Sequence, residues 1–403
     1  MRAALLLASL LLVSLRIPAA QPPAPEPGPV LVLSEDGLGA DEFRPDTMPQ
    51  LWALAEAGRR GAVRPPFPAT TFNGHVTLAT GCWPEHHGVV ANAYVEPSDH
   101  HLVRYAGRAE DIQREPLWVA ATRSGVRTAV YHWVGATGPW QGVSPWRMQA
   151  FRLGHPDTEG MAWCESALTD GAKLVMAYLS GTDEEGHLHG PGSPEVKAKL
   201  KWLDDKLAPW LTRVMAAHPG LCVLLTADHG MAAMARRIAL PELLEGLPAR
   251  IITHGGSAYV YLHRSGDAAS AAARLRKAGL AVWPRAEVPA RYHLGGSARV
   301  GDLVVLAPEG TWLSQARTGR EAALEQHGRA GAHAYVPEVA SMKAWLVVLG
   351  DGQGLLGDVP AWDVAPTVAQ WLGIRWSEPP DGHPVPALLE GAKQAPTPPP
   401  HPG

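Results

Sequence analysis

This sequence predicts an α/β fold: a doubly wound, mostly parallel sheet flanked by helices, with a small inserted α+β subdomain. Three observations predict it. Short runs rich in apolar residues recur along the chain, as expected of strands buried on both faces. Stretches with helical apolar spacing separate them. Acidic residues and histidines then gather just after the apolar runs, where open α/β sheets bind their ligands. Of 403 residues, 46% are apolar and 18% charged. Average chains carry about 25% charge, so a large core is expected.

The elements follow in order. Val30-Leu31-Val32-Leu33 is a strand closed by Asp36-Gly37. Met48 to Gly58 has helical spacing through Leu51, Leu54 and Ala55 and stops at a glycine. Val126 to Trp133 and Ala172 to Leu179 are strands. Pro194 to His218 is a long amphipathic helix, with Val196, Leu200, Leu203, Leu207, Leu211 and Val214 on one face. Pro194 suits its first turn, and Pro209 is a candidate kink. Leu221 to Thr226 and Ala344 to Leu349 are buried strands, and Ala365 to Leu372 is a final helix. Between about 250 and 307 the pattern changes to strand (Ala258 to Leu262), helix (Ala268 to Lys277), strand (Leu280 to Trp283) and strand (Leu303 to Leu306). This is the expected insert.

The ends differ from the body. Met1-Arg2 precedes an apolar run from Ala3 to Leu15, with small residues at Ala19 and Ala20. Residues 1–20 therefore read as an export signal, which places the expected protein in the periplasm or outside the cell with no membrane span after cleavage. Residues 21–28 read as an extended linker, 29–394 as the folded catalytic domain and 395–403 as a Pro-rich tail. A net charge of −4 and a pI near 6.5 give no basic footprint, so dedicated nucleic-acid binding is not expected. Three cysteines cannot form a disulfide framework, and no CxxC pair exists for a structural zinc site. The residues specify no oligomeric state.

The 18 histidines are the unusual entry in the composition, and their positions decide their meaning. Asp36, Asp183 with His187 four positions on, and Asp228-His229 all follow strand ends. His333 precedes the strand Ala344 to Leu349. Carboxylate and neutral imidazole are ligands for zinc and similar divalent ions. Six such side chains exceed what one catalytic zinc uses and suit two ions. A nucleophile candidate is Thr71, in the run Pro68 to His75 before an apolar helical stretch. There the helix N-terminus favours anions. An ordinary N-cap reads identically at this point.

Six blocks, in this order, resemble the nucleotide pyrophosphatase/phosphodiesterase family of the alkaline phosphatase superfamily. They are LSEDG (Leu33 to Gly37), PATTFNGHVTLATG (Pro68 to Gly81), PEHHGVVAN (Pro84 to Asn92), GTDEEGH (Gly181 to His187), ADHGM (Ala227 to Met231) and AHAY (Ala332 to Tyr335). The resemblance implies two zinc ions per chain. Asp183, His187 and His333 would bind one; Asp36, Asp228, His229 and the nucleophile Thr71 would bind the other. It implies a threonyl-phosphoryl intermediate on Thr71, and Asn92 joining the Thr71 N–H on a phosphoryl oxygen. Phe72 and Tyr178 match the aromatic positions that sandwich a nucleobase. Ala69, Asn73 and Gly74 depart from the family pattern beside the nucleophile, and Glu35 stands where Leu is common.

The implied substrate is a small-molecule phosphodiester or nucleotide. Monoesterases of the superfamily add cationic side chains for the extra charge. No Lys-x-Arg pair lies between Asn92 and Asp183 here, although Arg147 and Arg152 are candidates to reach the site. A phosphomonoesterase or phosphonoacetate hydrolase of the same superfamily is the alternative, and a catalytically dead zinc-binding protein is the alternative of another class. His75, His86, His87, His132 and His189 read as structural. The leaving group is open at this stage.

Overall fold

The computed structural model describes residues 27–389 except 319 and 322–328. The expected signal (1–20), linker residues 21–26 and the Pro-rich tail lie outside the described residues. Among the described residues no helix is long and apolar enough to cross a membrane.

The centre is an eight-stranded sheet. Its order is Gly354–Pro360, Arg59–Arg64, Ala344–Leu349, Cys222–Thr226, Val30–Glu35, Leu174–Leu179, Thr128–Tyr131, Arg147–Gln149. Ala344–Leu349 runs antiparallel to both neighbours, and every other neighbouring pair is parallel. Val30–Glu35, Leu174–Leu179 and Ala344–Leu349 are buried at every position, which is why they read as continuous apolar runs rather than alternating ones. The predicted doubly wound architecture is present.

Helices flank this sheet in two mutually packed groups. Thr71–Thr80, Leu117–Arg123 and Val364–Leu372 form one, and Pro49–Glu56, Asp157–Thr169, Gly181–His189 and Pro194–Ala217 the other. Pro194–Ala217 begins where Ser193 accepts a hydrogen bond from the Val196 N–H, with Pro194 in its first turn. It buries the predicted apolar face and continues through Pro209 as one 24-residue helix. Asp204, on this buried face, accepts from the Gln50 and Leu51 N–H groups at 3.1 and 2.7 Å. It thereby caps the first turn of Pro49–Glu56, which has no cap of its own.

The insert is a four-stranded antiparallel sheet ordered Ala249–Thr253, Ser257–Leu262, Leu303–Leu306, Ala281–Pro284, with the helix Ala268–Lys277 against it. Alanines and leucines of that helix pack with Val260, Val282 and Val305 in a core separate from the main one. A hairpin of Ala93–Val95 and Leu102–Arg104 follows Asn92 directly.

Candidate active site

The parallel strands deliver their following residues to one edge. Asp36 follows Val30–Glu35, and Asp228 and His229 follow Cys222–Thr226. Asp183 and His187 lie one turn apart on Gly181–His189, a helix that begins two residues after Leu174–Leu179 ends. His333 reaches the same edge because the strand after it, Ala344–Leu349, is the reversed one. Two groups of ligand atoms each lie within 4.8 Å of one another: Asp36, Asp228 and His229, and Asp183, His229 and His333. His229 thus stands between them, with its ring stacked 4.0 Å from that of His333. His187 adjoins the second group, with Nε2 3.5 Å from Asp183 and its ring 5.0 Å from His333.

The hydrogen bonds set the imidazole tautomers. Nδ1 of His187, His229 and His333 faces the carbonyl oxygen of Gly331, Gly230 and Ala69 at 3.1, 2.9 and 2.9 Å. A carbonyl only accepts, so each Nδ1 carries the proton and each Nε2 keeps a lone pair for a metal. His75 differs. Its Nδ1 faces the Thr71 carbonyl and its Nε2 the Ser34 hydroxyl, both at 2.9 Å, so both nitrogens are used within the protein. His189 is exposed beside Glu185 and Glu195, His86 is held by Asp381, and His132 lies just past its strand at φ 55°.

The carboxylates are arranged for cations. Asp36 Oδ1, Asp183 Oδ1 and Asp228 Oδ2 are buried and have no hydrogen-bond donor. The Asp36 carboxyl is pushed well above its usual range, first by burial and then by the charges of Asp228 and Asp183. Burial, with His229 and His187 nearby, holds His333 well below the usual imidazole value. Spare oxygens on Asp36, Asp183 and Asp228, facing three imidazole lone pairs, form a donor set that fits two divalent ions.

Thr71 is the first residue of the helix Thr71–Thr80, and Thr70 occupies the N-cap, so the hydroxyl of Thr71 is not the cap. That hydroxyl lies 3.4 Å from His229 Nε2. Asn92 Oδ1 accepts the Phe72 N–H at 2.8 Å, which leaves its amide NH2 as a donor beside the nucleophile candidate. Gly74 departs from the family pattern for a visible reason. A Cβ there would stand 2.8 Å from the Asp228 Cβ, so the helix approaches Asp228 more closely than a side chain permits. Gly37, at φ 69°, brings the chain nearly as close to Asp183, whose Oδ1 would stand 3.0 Å from a Cβ there.

Phe72 packs against Tyr105, with ring centroids 5.3 Å apart. Tyr178 is 6% exposed, edge-on to His75, and donates its hydroxyl to Asp36 Oδ2 at 2.5 Å. Its ring builds the wall of the cluster. Arg147 is bound to Asp170 and Ser166, and Arg152 is exposed. The arginines that do line a cavity beside His187 and His333 are Arg104, Arg237 and Arg329. Sequence reasoning missed them because they come from the hairpin, from a short strand and from a loop that only tertiary folding brings together.

The model of the family described as type I phosphodiesterase / nucleotide pyrophosphatase matches residues 30–336. The chain belongs to that family. An ectonucleotide pyrophosphatase/phosphodiesterase of Caenorhabditis elegans is 28% identical over 312 residues, covering 74% of this chain and 41% of its own length. Human ectonucleotide pyrophosphatase/phosphodiesterase family member 7 is 28% identical over 223 residues, covering 52% of this chain and 49% of its own. The chain thus spans less than half the length of these curated phosphodiesterase relatives. Murine ectonucleotide pyrophosphatase/phosphodiesterase 5 shares the fold at a TM-score of 0.79 and 23% identity, covering 88% of this chain and 97% of its own. An inactive threonine-to-alanine variant of that murine phosphodiesterase, in complex with AMP, gives 0.79 at 22% identity, covering 89% and 97%.

Proposed function

We propose that this protein hydrolyses phosphodiester or pyrophosphate bonds of nucleotides through a threonyl-phosphoryl intermediate on Thr71, with two zinc ions as cofactors. One observation carries the reading: buried, unpartnered carboxylate oxygens and imidazole lone pairs converge beside a threonine hydroxyl at a helix N-terminus. Family membership supports it, and AMP bound to the murine relative supports a nucleotide substrate. Asp36, Asp228, His229 and Thr71 would hold one ion, and Asp183, His187 and His333 the other. When bound, zinc supplies Lewis acidity that makes the Thr71 alkoxide accessible and stabilises charge on the attacking and leaving oxygens.

The chain's own groups do the rest. Thr71 Oγ1 attacks phosphorus in line, forming the Thr71–O–P bond as the bond to the leaving oxygen breaks. Water then attacks phosphorus and restores the free hydroxyl. The amide NH2 of Asn92 and the helix N-terminus hold a non-bridging oxygen as charge develops on it. His75 fixes the Thr71 carbonyl and approaches Asp228 Oδ2 at 3.4 Å, so it positions both nucleophile and ligand. Tyr178 orients Asp36. Phe72 with Tyr105 offers aromatic surface for a base. Export through the leader at residues 1–20 belongs to the same proposal.

The test compares bis(p-nitrophenyl) phosphate with p-nitrophenyl phosphate. The zinc-loaded protein is expected to cleave the diester with the higher kcat/KM and to lose activity on chelation. The reverse ranking would favour a phosphomonoesterase. Retained zinc with no hydrolysis of any ester would favour a binding protein.

A further inference from the structure

A second cavity lies apart from the metal cluster. It encloses about 660 Å³. Small-molecule sites span about 300–1,000 Å³. Of Thr71, Asn92 and the candidate metal ligands, none lines it. It is bordered by the same hairpin and insert strand as the cavity beside His187 and His333, yet by different residues. Val95 and Arg250 line this cavity. Ala93, Thr253 and the buried His254, whose ring nitrogens have no hydrogen-bond partner, line the other.

Its polar lining is mainly cationic. Arg250 and Arg285 both line it, together with His100 and His263. His100, at φ 60°, gives its carbonyl to Arg250 Nη1 at 2.8 Å. Arg285 Nη1 donates to the carbonyls of Ala298 and Val300 at 3.3 and 3.2 Å. Among the described residues neither guanidinium is paired with a carboxylate. Carbonyls anchor one nitrogen of each, and the donors on Nε and Nη2 remain for a ligand. The one carboxylate in the lining, Asp302, accepts the Leu262 N–H with Oδ2 at 2.7 Å. The remaining lining is apolar. Arg250 pairs in register with Tyr261, so the two side chains share a face of the insert sheet. The Tyr261 hydroxyl accepts the Val95 N–H at 3.1 Å and donates to the Arg299 carbonyl at 2.7 Å, which leaves its ring for contact. Val95 and Val300 add buried aliphatic surface.

We propose that this cavity is a binding site, separate from the active site, for a small organic dianion with an apolar body. A phosphate or phosphonate group is held by Arg250 and Arg285, and the apolar part lies against Tyr261, Val95 and Val300. Guanidinium groups match phosphate-type oxygens in charge-assisted hydrogen bonds. Two unpaired guanidiniums are balanced by a double negative charge, and they repel a cation of the same shape. The apolar wall is what separates such a ligand from a bare inorganic ion, because only the former removes that surface from water. The site does not depend on the hydrolase reading above.

The experiment is a calorimetric titration of the zinc-loaded full chain with phenylphosphonate, which has no ester bond to hydrolyse, and with inorganic phosphate. It is repeated on Arg250→Ala/Arg285→Ala and on Arg250→Ala alone, an exposed position whose substitution spares the fold. The native protein is expected to bind phenylphosphonate saturably, and inorganic phosphate at least about tenfold more weakly. The double variant is expected to weaken phenylphosphonate at least about tenfold, and Arg250→Ala at least about threefold. Binding in the active site would survive both substitutions, so coincident isotherms for native and variant proteins would overturn the proposal. No saturable binding to the native protein, or inorganic phosphate bound as tightly as phenylphosphonate, would overturn it too. Hydrolysis of bis(p-nitrophenyl) phosphate is followed on the same samples. Its loss in step with the loss of binding would place the probe in the active site and likewise overturn the proposal.

Discussion

Histidines divide by what their two nitrogens touch. Those of His187, His229 and His333 hold a carbonyl with Nδ1 and turn Nε2 toward the cluster, whereas His75 and His87 use both nitrogens elsewhere in the protein. That division was half legible in the sequence. Position after a strand end marked Asp36, Asp183, Asp228 and His229, but nothing local distinguishes the candidate ligand His187 from its exposed neighbour His189. His254 escaped notice because its meaning depends on the cavity around it. His87 provides a residue-scale test. It accepts from the Val89 N–H and hydrogen-bonds the Thr77 hydroxyl, and burial pushes its imidazole down to about 3 from an ordinary value of 6.5. Between those values the unfolded chain binds the extra proton. The stability owed to neutral His87 is complete above pH 6.5 and is lost as pH falls toward 3. Denaturant unfolding from pH 6.5 to 4.5 is expected to show a shallower acid loss for His87→Asn than for the native protein, by up to about 1.4 kcal/mol per pH unit. Identical slopes would show that His87 is not held neutral.

Strands buried at every position were readable and partly exposed ones were not. Val30–Glu35 and Ala344–Leu349 advertise themselves as unbroken apolar runs. Arg59–Arg64 (RRGAVR), Arg147–Gln149 and Gly354–Pro360 (GLLGDVP) are strands only because a neighbour offers its edge, and their polar or glycine-rich residues carry no such signal. Ala249–Thr253, an edge strand of the insert, was missed because only Ile252 of its residues is buried. Asp204 shows a further layer. On the helical wheel of Pro194–Ala217 it falls on the apolar face, which looks like a flaw, yet it caps the N-terminus of Pro49–Glu56 with two hydrogen bonds. Asp204→Ala is expected to cost about 3 kcal/mol in denaturant unfolding, and Asp204→Asn less, because charge-assisted bonds to backbone N–H groups are replaced or weakened. A loss below about 0.5 kcal/mol for the alanine variant would mean that the cap is not stabilising.

The whole molecule converges on one cleft. Parallel strands project Asp36, Asp228 and the helix of Asp183 and His187 to a common edge, and the single reversed strand brings His333 to it as well. The Thr71 helix enters from one face of the sheet, approaching Asp228 so closely that Gly74 is required. Arg104 of the hairpin, His254 of the insert, Arg237 and Arg329 line a cavity beside His187 and His333. Thr71 is the residue on which this account turns. Its most direct test is turnover of p-nitrophenyl thymidine 5′-phosphate by the native protein and by Thr71→Ala, with zinc measured on the same samples. The account predicts a loss of at least about 10³-fold in kcat while both zinc ions are retained. Near-native turnover in a fully zinc-loaded Thr71→Ala protein would contradict it.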